Sequence, residues 1–73
     1  MTRAQMETRL MYLQGALEDA TRQKEHLEQR YDEICRRKAP RKMRERYRSD
    51  VERFHYMCVN TENEIKDIED MLR

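Results

Sequence analysis

The chain has 73 residues, of which 42% are charged and 37% apolar, with one Gly, one Pro and a net charge of +1. This is room for one small domain, with a core at the margin of what can hold a fold alone. Sparse turn residues and abundant charge exclude a mixed α/β domain and point to a coiled coil. No apolar run approaches the roughly 18 residues that would span a bilayer. Charges begin at Arg3, so no signal-peptide segment is expected near the N-terminus, and a cytoplasmic setting follows by default. The initiating Met and the cap at Thr2 favour a complete small protein over a piece of a longer coiled coil.

The first predicted helix covers residues 2–37. Thr2 can cap its first turn and Gln5 completes a capping box. Apolar positions then recur in alternating steps of four and three: Met6, Leu10, Leu13, Leu17, Ala20, Lys24, Leu27 and Tyr31. A helix with this period buries a narrow seam against another helix. Gly15 falls on the outer face, where it costs about 1 kcal/mol relative to Ala. It is read either as a tolerated defect or as a point of close approach by another helix.

The predicted turn is residues 38–40, ending in Pro40. Proline disfavours helical geometry in the residue before it and suits the start of a new helix. A single kinked helix would put Lys38, Arg41, Glu45, Arg48, Glu52 and His55 on the seam, all polar, so the chain is expected to reverse. The second helix, 41–72, carries Tyr47, Val51, Phe54, Cys58, Thr61, Ile65, Ile68 and Leu72 at the same period. Ser49 with Glu52 and Thr61 with Glu64 are internal cap signatures where it could begin late or weaken.

The two stripes mirror each other. Seam residues pair where their numbers add to 78, from Met6 with Leu72 to Tyr31 with Tyr47. A shift to 85 would match Lys24 with Thr61 but needs a loop over about 38–48; the short turn is preferred. The 78 register also aligns Glu28 with Arg48 and Arg30 with Asp50. The expected fold is therefore all-α, an antiparallel two-helix coiled-coil hairpin that associates into a four-helix bundle or docks on a partner. Cys35 and Cys58 are then about 22 Å apart along the axis, too far for an intrachain disulfide.

Two features are left over once the seam is assigned. Ala16, Met57 and Met71 widen it along one edge, with Met11, Tyr12, Tyr56 and Val59 further out. Met, flexible and polarizable, suits adaptable binding surfaces, so Met11, Tyr12, Ala16, Tyr56, Met57 and Met71 are candidate contacts for a second copy or another protein. The other feature is charge. Eight of the 16 Lys and Arg residues are Arg36, Arg37, Lys38, Arg41, Lys42, Arg44, Arg46 and Arg48, opposed there only by Glu45. The end of the second helix is the reverse, with Glu62, Glu64, Asp67, Glu69 and Asp70 against Lys66. Cations closing the first helix suit its dipole, but Arg41, Lys42 and Arg44 open the second, where the dipole favours acids. A local rule broken three times marks a candidate contact surface for a phosphate backbone, an acidic protein surface or the acidic end of another copy.

Catalysis is not expected. His55 and Cys58 are spaced to share a metal, but no second pair completes a tetrahedral set. A two-helix rod offers no concave pocket to perturb its carboxylates, and there is no Gly-rich phosphate loop. No cofactor, metal or small-molecule substrate is assigned. The expected role is a non-enzymatic interaction protein of adaptor, co-chaperone or anti-activator type, with a homodimer and a protein partner. The alternative is a nucleic-acid-binding hairpin using the tip at residues 36–48.

Overall fold

A computed structural model describes all 73 residues as two helices and no strand. Helix α1 runs Arg3–Arg36 and helix α2 runs Arg41–Leu72, packed antiparallel into a rod of 52 × 14 × 14 Å. At 1.5 Å per residue, 34 helical residues span about 51 Å, so the rod is as long as α1 and two helices thick. The protein is an all-α helical hairpin.

Helix α1 starts as its capping box dictates. The Gln5 amide donates to Thr2 Oγ1 at 3.2 Å, and the Thr2 amide donates to Gln5 Oε1 at 2.9 Å. Thr2 is thus the cap rather than the first helical residue, and Arg37 is the cap at the other end. Charged pairs one turn apart support the exposed surface: Arg3 with Glu7 at 3.3 Å and Glu33 with Arg37 at 3.2 Å.

The reversal is made by backbone alone. Lys38 takes φ 55, the left-handed region. Its amide donates to the Cys35 carbonyl at 3.2 Å, and the Ala39 amide donates to the Ile34 carbonyl at 3.2 Å. These two bonds make a Schellman motif, the usual way to satisfy carbonyls at a helix end. Glycine normally fills the left-handed position; here it is a lysine. Pro40 follows as the N-cap of α2 at φ −54, and its carbonyl accepts from the Met43 and Arg44 amides at 3.0 and 3.1 Å. Four residues thus separate α1 from α2, which leaves no place for the 38–48 loop that the shifted register needs. It passes through Ser49 and Thr61 without a break. The Thr61 hydroxyl donates back to the Met57 carbonyl at 2.8 Å instead of capping forward.

All sixteen positions of the two stripes are buried or half-buried. Leu13, Ala20, Cys58, Ile65 and Ile68 are the most enclosed. Leu13, Ile65 and Ile68 form the densest cluster, flanked by Met6, Leu10, Leu17 and Leu72, at the end of the rod away from the turn. The Thr21 hydroxyl lies 3.8 Å from Cys58 Sγ, which fixes the pairing midway along the rod. Lys24 stays at the seam by laying its stem along it and sending its amine to Glu28 at 3.8 Å.

Two expected ion pairs are absent. Glu28 meets Lys24 rather than Arg48, and Arg48 turns to Glu52 at 3.4 Å; Arg30 and Asp50 form no pair. In each case where a partner is found, the residue one turn away on the same helix is nearer than the one across the seam. The ion pair that does cross joins Arg9 to Glu64 at 3.1 Å. Gly15 has open space where a Cβ would stand, so no part of the hairpin closes on it.

Candidate interaction surfaces

The turn concentrates the cations at one tip of the rod. Arg36 ends α1, Arg37 caps it and Lys38 makes the turn, and Arg41, Lys42, Arg44, Arg46 and Arg48 follow in the first two turns of α2; all eight are exposed. No acidic residue lies in the first turn of α2, and no side chain caps it. Three of the eight are held by an acid one turn away, Arg37 by Glu33, Arg41 by Glu45 at 2.9 Å and Arg48 by Glu52. Tyr31, Arg41, Arg44, Glu45 and Arg48 line a shallow notch of about 220 Å³ beside the seam. The Cys35 thiol, one turn along α1, raises the Tyr31 phenol above its ordinary 10.0 through hydrogen bonding and charge, against the opposing pull of Arg48 and Arg44.

Most of the leftover apolar side chains stay in solvent. Met11, Tyr12, Tyr56, Met57 and Met71 are all exposed, and Ala16 is half-buried. They do not make one patch. The Arg9–Glu64 pair marks the edge where the two helices meet, and one heptad further along that edge the register sets Ala16 beside Met57. Met71 lies on the same edge, and Tyr12 and Tyr56 flank it. Met11 is five residues from Ala16, which is about 140° around the helix, so it faces elsewhere.

Two features escaped the sequence reading. Met43 is 48% exposed and lies on the edge of Met57 and Met71 at intervals of fourteen residues. The spacing was visible, but Met43 sits inside the basic run and was hidden by its neighbours. The second is a broad hollow on the outer face of α1, lined by Met1, Ala4, Gln5, Thr8, Arg9 and Tyr12. The Arg9 guanidinium stands 5.4 Å from the Tyr12 ring centroid, a cation–π distance. The small residues Ala4 and Thr8, one turn apart, were its available signal.

The remaining chemical groups are dispersed. Cys35 and Cys58 are both free thiols, the first exposed and the second buried. His55 is exposed and meets the Tyr56 ring edge-on at 5.9 Å, while Cys58, three residues on, points into the seam. No three His, Cys, Asp or Glu residues cluster so as to hold a metal ion. No helix is long and apolar enough to cross a membrane. Comparison of the chain with protein-family models found no match, and searches among curated proteins and solved structures found none either.

Proposed function

We propose that the hairpin is a small non-enzymatic coiled-coil interaction protein that binds or sequesters another protein, in the manner of an adaptor, co-chaperone or anti-activator. One observation carries the reading. The seam takes up its own apolar residues, yet Met11, Tyr12, Met43, Tyr56, Met57, Val59 and Met71 remain exposed. Side chains of this kind on a rod with no enclosed cavity are suited to covering a surface rather than to housing a substrate. Two unbonded cysteines fit a reducing, cytoplasmic setting.

The test is capture from an extract of the source organism, with the wild-type hairpin and the Met11→Asp, Val59→Asp variant as paired baits, both sites being exposed. The reading expects a partner retained by the first and lost by the second. Equal recovery on both baits, or none on either, overturns it.

A second reading rests on the basic first turn of α2, which carries Arg41, Lys42 and Arg44 with no acid and no side-chain cap. It makes the tip a contact for a phosphate backbone, with binding that weakens steeply as salt rises. Charge reversal at Arg41, Lys42 and Arg44 then abolishes a mobility shift with DNA or RNA. No shift with the wild-type hairpin at low salt removes this reading.

A further inference from the structure

We infer that α2 pairs antiparallel with α2 of a second copy, about a two-fold axis beside Met57. This goes beyond the proposed capture of another protein, which keeps the exposed Met11 and Val59, because the occupant of the edge carrying Met43, Met57 and Met71 is the chain itself. Three independent observations lead there.

The first is surface. The hairpin exposes 6167 Å². A compact monomer of 9.1 kDa exposes about 4,900 Å², so the rod carries a surplus of roughly 1,300 Å². A standard interface removes about 800 Å² from each partner. One helix-on-helix contact along the rod is enough to absorb most of the surplus.

The second is symmetry in the spacing. Met43, Met57 and Met71 lie on one edge of α2 at equal intervals, and they are 48%, 45% and 61% exposed. An antiparallel copy turned about Met57 brings Met43 to Met71 of its mate at both ends and Met57 to Met57 at the centre. Tyr56, 65% exposed, falls beside the axis. Ala16 of α1, next to Met57 in register, leaves room for the second helix to approach.

The third is charge, which selects the antiparallel direction. Residues 41–56 carry six cations and three carboxylates, whereas residues 57–73 carry two cations and five carboxylates. Each half of α2 therefore meets the half of opposite sign. The same turn sets Lys42 near Asp70 of the mate and Arg46 near Asp67 of the mate. Asp50 and Glu64 also approach across the axis, and Arg9 at 3.1 Å from Glu64 offsets that repulsion. A parallel pair would bring like halves together along its whole length.

Light scattering after size-exclusion chromatography tests the pairing. The wild-type hairpin is expected at twice 9.1 kDa at tens of micromolar. Met57→Glu sets two carboxylates against each other at the axis and is expected to raise the dimer dissociation constant at least tenfold. Met11→Glu, at a more exposed position on another face, leaves the mass unchanged. Circular dichroism confirms that each variant stays helical. Arg46→Asp alone weakens the dimer, and Arg46→Asp with Asp67→Arg restores it, because the swapped pair re-forms across the axis. A monomeric wild-type mass overturns the inference outright and leaves partner capture standing or falling on its own bait experiment. A dimeric Met57→Glu overturns the assigned face, and failure of the double swap overturns the antiparallel direction.

Discussion

Lys38 pays the conformational cost of the reversal. A residue with a Cβ in the left-handed region is disfavoured by about 1 kcal/mol, and here the surrounding Schellman bonds hold it at φ 55. Lys38→Gly is expected to raise stability by about 1 kcal/mol, read as a higher urea midpoint with an unchanged slope. Lys38 lies inside the expected turn 38–40, but its left-handed backbone was not legible, because neither Gly nor Asn marks the position. Burial, by contrast, was legible residue by residue, since period alone decides which side chain faces the other helix. Leu13 is 4% exposed and Met11 74%. Leu13→Ala should therefore cost about 2–5 kcal/mol, against less than about 0.5 kcal/mol for Met11→Ala, in the same denaturation experiment. The choice of ion-pair partner was not legible, because long side chains such as those of Glu28 and Arg48 reach several neighbours and settle by distance.

At the scale of the element, α2 is polarised against its own dipole. Its first turn contains no acid and its last turn no base, so both ends carry the charge that a helix terminus disfavours. Lys42→Glu is expected to stabilise the hairpin by about 0.3–1 kcal/mol at low ionic strength, and the gain should fade in 1 M salt, where screening acts within about 3 Å. Thermal melts at the two salt concentrations check this. The same substitution should weaken any anionic partner at the tip, so stability and binding move in opposite directions. The basic run and its conflict with the dipole were plain in the sequence. The face of α2 that carries Met43, Tyr56, Met57 and Met71 was only partly so, because Met43 stands among the cations of residues 36–48, and Met11, expected on the same edge, lies on another side.

At the scale of the whole molecule, the densest packing is farthest from the turn. Leu13, Ile65 and Ile68 are buried at the open end, whereas Tyr31, Ile34 and Tyr47 near the turn are half-buried. Connectivity favours closure at the turn, but only weakly. Joining Leu13 to Ile65 directly across 51 intervening positions, rather than across a turn of four, costs about 2 kcal/mol more in loop entropy. Burying even one large aliphatic side chain contributes about 1.5–3 kcal/mol, and the open end buries several together. Contacts between the two chain ends are therefore expected to form in the rate-limiting step, with the helices closing toward the turn afterwards. Ile68→Ala is expected to slow refolding in stopped-flow measurements, while Tyr47→Ala chiefly speeds unfolding. A chain joined first at its extremities holds the turn-proximal halves of both helices as a closed loop, so a species caught part-way is expected to offer the backbone around Tyr31 and Tyr47 to a protease while Leu13 and Ile65 stay protected.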